Sequence, residues 1–497
     1  MKTTYQTTIL AALLGWIVLP SVQAETKSTQ EKDKETVASE HADINNAKEI
    51  KSPHTLHPDA QWFPDAGLGL FLHWGISSVK GMNISHPMVV GRPLEKKKIE
   101  SKEEIDRIVR EKDYYLNGKK PVITPRNYFK MAESFNPDNY HPEKWLAKVK
   151  EAGFKYVVLT AKHHEGFALW PSKYGDFNTK NYMGGKDLIK DFTDACHKAG
   201  LKVGLYYSGP DWYYDREYRS FLRDKAHRVN PGLPHLDQDL MPSNPKHTEK
   251  EKEQHYEQLL EMVNGQVEEL LSNYGKIDII WFDGRPSLPS NYRKQLITKK
   301  RLRELQPGIV INPRMHGNAD YITFERHFPE NPNIPLEQWA EFCNPWNGAW
   351  PYVKRPYKPL NSILSDLVHC RAAGMNYLLG FGPMGNGDLA PRAYENMAKL
   401  QQWMHVNQEA IYNTHQLSQG ESSTALASAK KNVRYIYLDP TQKEASVSIS
   451  GISKPKSITL LNDGKPVSFD WSKKKAVISM PETPRLGKEW SVLKITL

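Results

Sequence analysis

A chain of 497 residues is long enough for about three average domains, or for one closed α/β barrel with a small appendage. Apolar residues make up 39% and charged residues 25%, which excludes both a wholly disordered chain and a polytopic membrane protein. The net charge of +10 is too dilute over this length to imply nucleic-acid binding, and three widely spaced cysteines, Cys196, Cys343 and Cys370, exclude a disulfide scaffold or a CxxC metal site and leave room for one disulfide at most.

At the start of the chain Lys2 precedes the apolar run Ile9 to Leu19, which is broken by Pro20 and followed by the small-x-small pattern Val22-Gln23-Ala24. Residues 1–24 therefore read as a signal peptide, with export to the periplasm or the medium as the expected destination. No cysteine follows the run, which argues against a lipid anchor, and no later stretch approaches twenty apolar residues, so membrane insertion is not expected. Residues 25–56 contain no Phe, Trp or Tyr and no apolar period, so they read as a disordered linker.

From Trp62 onward short apolar runs alternate with helical patterns, the mark of βαβ units and a parallel sheet. Strands are expected at Leu68–His73, Tyr156–Thr160, Val203–Tyr207, Ile277–Trp281, Ile309–Asn312 and Asn376–Gly380. Between them, Leu188, Phe192, Ala195 and Ala199 share one helical face that Gly200 terminates, and a longer helix carries Leu259, Val263, Val267, Leu270 and Leu271 toward a stop at Gly275. Six strands over some 330 residues imply an eightfold (β/α)8-like TIM barrel, spanning residues 57–410, in which two strands are not legible. Residues 415–497 change character: short alternating strands at Tyr435–Leu438, Ala445–Ile449, Ser457–Leu461, Ala476–Ser479 and Val492–Leu497, without helices between them, imply an all-β sandwich.

In such a barrel the reactive groups sit at the carboxyl ends of the strands. His73 ends LGLFLHWG; His163, His164 and Glu165 follow YVVLTAK; Tyr206 and Tyr207 end KVGLYYS; Asp283 ends KIDIIWFDG; and Arg314 ends GIVINPR. With the aromatics Trp74, Trp170, Trp212 and Trp281, these residues describe a pocket that hydrogen-bonds hydroxyls while stacking the apolar faces of a sugar.

The same residues carry a resemblance. WFPDAGLGLFLHWG, FKYVVLTAKHHEGFALWPSKYGDFN, GLKVGLYYS, IDIIWFDG and GMNYLLGFGPMGNG resemble, in this order, the successive signatures of the α-L-fucosidases of glycoside hydrolase family 29, over roughly residues 60–400. The resemblance implies a retaining hydrolase acting on a fucose-containing oligosaccharide or polysaccharide, with Asp283 as nucleophile and His73, His163, His164, Tyr206, Trp281 and Arg314 holding the sugar beside Trp74. It calls for no cofactor and no metal. Glu325, in DYITFERHF eleven residues after Arg314, stands where the family often reads Thr-Pro-Glu and is the expected acid/base.

Three departures from the family pattern stand out. Glu165 replaces the usual Asp after the paired histidines; Ala340 follows Trp339 where a Trp-Glu pair is often seen, which brings Glu341 forward as a competing acid; and Met82 to Val90 (MNISHPMVV) lacks the usual Glu-Trp-Tyr. The last two are expected at the pocket rim, and the third leaves L-fucose and L-galactose both open. Arg92 to Lys130 holds twelve Lys/Arg and seven Asp/Glu, a basic insertion on the active-site side that fits a sulfated or otherwise acidic polysaccharide. Two further classes remain open: a non-catalytic glycan-binding protein on this fold, and a metal-dependent barrel hydrolase with His73, His163, His164 and Asp283 as ligands. Adjacent histidines on a strand point to opposite faces, which counts against the second.

Overall fold

In the computed structural model, which describes residues 54–115, 122–317, 319–329, 332, 334–480 and 488–497, eight parallel strands follow one another around a barrel. They are β1 Leu68–Leu72, β2 Tyr156–Lys162, β3 Lys202–Ser208, β4 Ile279–Asp283, β5 Val310–Ile311, β6 Tyr321–Glu325, β7 Trp339–Pro345 and β8 Asn376–Phe381. Ladders join β5-β4-β3-β2-β1-β8-β7-β6 in that order, leaving one seam between β5 and β6. At the seam the Ile311 N–H donates to the Asp320 carboxylate at 2.8 Å and the Asp320 N–H donates to the Ile311 carbonyl at 3.0 Å. The expected signal peptide and all but the last three residues of the expected linker lie outside the described residues. Of those three, His54 stacks on Trp339 at 4.0 Å and the Thr55 N–H donates to Asp320.

The strands that escaped sequence reading are β6 and β7. Their inward positions carry Thr323, Glu325 and Glu341, which break the continuous apolar run by which buried parallel strands are recognised. Elsewhere the interior is filled by large rings, among them Phe71, Tyr156, Tyr206, Trp281 and Tyr321. Phe63, on the segment entering β1, plugs the amino-terminal end, 4.6 Å from the ring of Tyr321. The barrel is thus a packed core that opens only toward the carboxyl ends.

The helices form where the sequence supplies both faces and caps. Helix α1, Leu188–Ala199, starts at Asp187, whose carboxylate accepts the Lys190 N–H, and stops at Gly200, held left-handed at φ 67°. It buries Leu188, Ile189 and Phe192 against the sheet, each contributing roughly 1.5–3 kcal/mol. Helix α2, Glu249–Ser272, is opened by a reciprocal capping box between Thr248 and Glu251. After the barrel, two four-stranded antiparallel sheets pack face to face over Ile436, Val447, Ile449, Leu460, Ile478 and Leu493. The Trp403 indole donates to the Trp490 carbonyl and the Tyr437 hydroxyl to that of Ala410, which ties this sandwich to the last barrel helix. Cys196, Cys343 and Cys370 are all buried as free thiols.

The basic insertion contains the helix Lys102–Glu111, capped by Ser101, and it docks on the segment after β3 through Asn230, whose side chain accepts the Ile99 N–H and donates to the Leu94 carbonyl. Part of its charge is neutralised locally, since Arg107 pairs with Glu111 and Asp113, Lys97 with Glu104 and Arg126 with Asp239.

Candidate active site

Six consecutive strands deliver the functional side chains to the open end of the barrel. Asp283 closes β4, and the glycine after it adopts φ 79°, a left-handed conformation that only glycine takes without strain. The Asp283 carboxylate is held on both oxygens: Arg314 donates to Oδ1 at 2.9 Å and the Tyr206 hydroxyl to Oδ2 at 2.7 Å. The other terminal nitrogen of Arg314 donates to Glu325 at 2.8 Å. One planar guanidinium therefore serves both carboxylates, a nitrogen to each. Burial disfavours the Arg314 cation, but the facing carboxylates of Glu325 and Asp283 more than compensate and hold its pKa above the ordinary arginine value. Its guanidinium also lies 4.4 Å over the Trp281 ring.

Around this pair stand the histidines. His164 Nε2 is 3.5 Å from Asp283 Oδ2, and the ring of His163 lies parallel to Tyr206 at 5.5 Å. His73, nearly fully buried, is driven well below the ordinary histidine pKa by desolvation and next by the neighbouring His163, so it is neutral. Its Nδ1 has no hydrogen-bond partner among the described residues. Both His163 and His164 face the site, against the expectation from strand alternation. The register between β2 and β3 shifts between Thr160 and Lys162, and β2 ends at Lys162, so the two histidines follow the strand rather than lie within it. Their ring centroids are 4.2 Å apart.

Gly166 completes the motif for a steric reason: it sits at φ 94°, and a Cβ there would fall 2.2 Å from the Asp211 carboxylate. Asp211 is ion-paired to buried Lys162 at 2.9 Å, which locks the loops after β2 and β3 together.

Two expected contributors lie elsewhere. Trp74 points out of the barrel, stacks on Tyr140 at 4.6 Å and donates its indole N–H to the Met384 carbonyl, so it belongs to the packing under the first loop. Trp170 donates to Glu269 on α2. Trp281 lies one layer below the site, stacked on Tyr206 at 5.5 Å. Conversely, Trp350 stacks on His73 at 4.9 Å, and the edge of His86 approaches the ring of His164 at 5.9 Å. Trp350 follows a strand that sequence patterning does not reveal, whereas His86 falls in the flagged segment Met82 to Val90.

The expected competition between Glu325 and Glu341 takes a definite form. Trp339 and Ala340 occupy the start of β7, beside Phe63 at the plugged end, not the rim. Glu341, fully buried inside the barrel, accepts hydrogen bonds from the Tyr156 hydroxyl at 2.6 Å and the Trp281 indole at 3.0 Å. Burial raises its pKa from 4.5 to about 7, against the pull of those two donors. Below about pH 4.5 the carboxyl is protonated in both folded and unfolded chains and its stabilising contribution is complete; as pH rises toward 7 the unfolded form ionises first and stability falls, by up to about 3 kcal/mol. Glu341→Gln is expected to lose that slope, so urea-unfolding curves of variant and wild type should diverge progressively between pH 4.5 and 7.5. A difference independent of pH would contradict the buried-acid assignment.

His163, His164 and Asp283 each offer a ligand atom within 4.8 Å of the others, close enough to share an ion. The guanidinium on Asp283 opposes a divalent cation there, and both histidines commit Nδ1 to a serine hydroxyl. The chemistry that fits the donor set is acid-assisted displacement at an acetal carbon: two carboxylates at the mouth of an aromatic-lined pocket, with hydrogen-bonding groups around them, define a glycoside hydrolase.

Comparison with known proteins gives the family. The alpha-L-fucosidase family model matches residues 35–409, three-quarters of the chain, and the chain belongs to the alpha-L-fucosidase family. Human tissue alpha-L-fucosidase is 28% identical over 372 residues, 71% of this chain and 69% of that one. Alpha-L-fucosidase isoenzyme 1 from Paenibacillus thiaminolyticus superimposes with a TM-score of 0.68 at 25% identity, over 88% of this chain and 99% of its own. A GH29 alpha-L-fucosidase from Bacteroides thetaiotaomicron, trapped as a covalent intermediate with 2-fluoro-fucosyl fluoride, shares the fold at TM-score 0.68 and 21% identity, covering 90% of this chain and 98% of that one.

Proposed function

We propose that the protein is a retaining, exo-acting α-L-fucosidase that removes terminal α-L-fucosyl residues from glycans or polysaccharides. The observation that carries the reading is the bridge of Arg314 between Asp283 and Glu325 at the mouth of the barrel. In the first displacement Asp283 attacks the anomeric carbon while Glu325 protonates the departing oxygen; in the second, Glu325 takes a proton from water, which releases the sugar from Asp283. Tyr206 and Arg314 aim the attacking carboxylate by donating to its two oxygens. His73, His163 and His164 receive the sugar hydroxyls, Trp350 offers an aromatic face, and Trp281 supports the floor.

Two finer features belong to the same proposal. L-Galactose differs from L-fucose by one hydroxyl on the C5 methyl group, and an apolar pocket rejects an added hydroxyl only weakly, so α-L-galactosides are expected as slower substrates. The basic insertion beside the site favours a sulfated or otherwise acidic polysaccharide, and residues 1–24 favour work outside the cytoplasm.

The test is chemical. With aryl α-L-fucoside and α-L-galactoside as substrates, proton NMR of the first-formed sugar should show the α anomer before mutarotation, since two inversions restore the starting configuration. A β anomer appearing first would overturn the retaining mechanism. Loss of turnover on treatment with a chelator would favour the metal reading, and no turnover of either glycoside would favour a glycan-binding protein.

A further inference from the structure

The segment Met82 to Val90, which departs from the family pattern, places Ser85 at the centre of a closed hydrogen-bond set. Its hydroxyl donates to the Glu165 carboxylate and lies 3.0 Å from the Glu165 N–H and 2.7 Å from His163 Nδ1. A hydroxyl has one hydrogen and two lone pairs. With the hydrogen on Glu165, both remaining contacts must be accepted, so His163 Nδ1 carries a hydrogen. The oxygen that takes the Ser85 hydrogen, Glu165 Oε2, also lies 3.4 Å from the same Nδ1, which suits a nitrogen that carries a hydrogen. His164 repeats the arrangement on the next strand. The Ser208 hydroxyl donates to the Pro210 carbonyl at 2.7 Å, so the contact of 2.7 Å to His164 Nδ1 is one it accepts.

We infer that Ser85 and Ser208 are positioning residues that fix Nδ1 of His163 and of His164 as a hydrogen-bearing nitrogen, which leaves His163 Nε2 to the sugar as a hydrogen-bond acceptor while His164 Nε2 stands 3.5 Å from Asp283 Oδ2. The backbone supports a dedicated role for Ser85. It is fully buried and held at φ 54°, ψ −54°, a conformation side chains rarely adopt, and its N–H is spent on the Tyr128 hydroxyl at 2.7 Å. The substitution of Glu for the family's Asp at position 165 finds its use here, since it is the Glu165 carboxylate that takes the Ser85 hydrogen. An acceptor at His163 selects a ligand that presents a hydroxyl donor to it and penalises one in which that hydroxyl is replaced by an acceptor-only group.

The inference deepens the fucosidase reading and takes only its choice of sugar from it. The first arm uses the full protein labelled with ¹⁵N at histidine, the two residues being assigned by subtraction with His163→Gln and His164→Gln. Long-range proton–nitrogen spectra of wild type should show a protonated Nδ1 for both and an unprotonated Nε2 for His163. An unprotonated Nδ1 on His163 would overturn the assignment. The second arm measures inhibition by L-fucose and by its 2-, 3- and 4-deoxyfluoro analogues. Wild type should lose tenfold or more at one or more of these positions, and Ser85→Gly, which suits the φ of residue 85 and lacks the hydroxyl, should reduce that penalty at one of them to less than threefold. Unchanged discrimination in a Ser85→Gly protein with native circular dichroism would also overturn it. If the first variant does not fold, Ser208→Ala should change the Nδ1 signal of His164, and an unchanged signal would overturn the role of Ser208. If L-fucose fails to bind wild type, the fucosidase reading fails while the nitrogen shifts still report the tautomers.

Discussion

Replacing Asp283 with asparagine or alanine is expected to abolish turnover of an aryl α-L-fucoside, with kcat falling on the order of 10⁴-fold or more, while the barrel remains folded. The first half follows from the double displacement, in which no other group at the site can form the covalent bond. The second half follows from the neighbours. Asparagine keeps an oxygen for Arg314 or Tyr206, and even with alanine the buried guanidinium retains Glu325 as its counter-ion. Thermal denaturation of the variant should therefore stay within several degrees of wild type. Added azide gives a sharper reading than activity alone: with Asp283→Ala it attacks the substrate directly, so the product should be the inverted β-L-fucosyl azide. An active, folded Asp283→Ala protein would sink the nucleophile assignment.

Removal of Glu325 should look different in each of those respects. A general acid contributes about 10²–10⁴-fold, and most of it is spent on poor leaving groups, so Glu325→Ala should lose natural fucosides heavily and activated aryl fucosides far less. Azide should now intercept the covalent intermediate, restoring rate and giving the α-L-fucosyl azide, because two inversions occur instead of one. If Glu341→Ala produces this pattern and Glu325→Ala does not, the acid lies inside the barrel after all. The hydrogen bonds of Glu341 to Tyr156 and Trp281 argue otherwise, and the expected result of Glu341→Ala is lower stability with no dependence on the leaving group.

What sequence patterning could reach here depended on whether a residue's role was local. Asp283, Tyr206, Arg314 and His73 stand at the ends of apolar runs, and the barrel rule alone points to them. Trp74 was misplaced because it is the neighbour of His73: in an extended chain successive side chains face opposite ways, so His73 pointing in sends Trp74 out, toward Tyr140. The same alternation misled for His163 and His164, since the register shift at the end of β2 re-aims them and no residue pattern announces it. Strands β6 and β7 were hidden by polar residues that face the barrel interior, and with them went Trp350, whose place beside His73 depends on the loop that β7 launches. Ser85 is legible only in three dimensions, because its partners are 78 and 80 residues away in the chain.

The seam between β5 and β6 acquires a further meaning from what it carries. Arg314 leaves the barrel just beyond β5, and Glu325 ends β6, so the two residues of this pair sit on opposite banks of the place where, among the described residues, the ladder is interrupted. Elsewhere around the ring, moving one strand end away from its neighbour would cost a run of interstrand bonds. Here the backbone connection lies at the Asp320 stitch, near the start of β6, and beyond it the two banks are joined toward the mouth by the side chains of Arg314 and Glu325. The weakest backbone connection of the ring therefore lies between the acid and the arginine, while the nucleophile stands on β4, laddered to β3 as far as Asp283 itself.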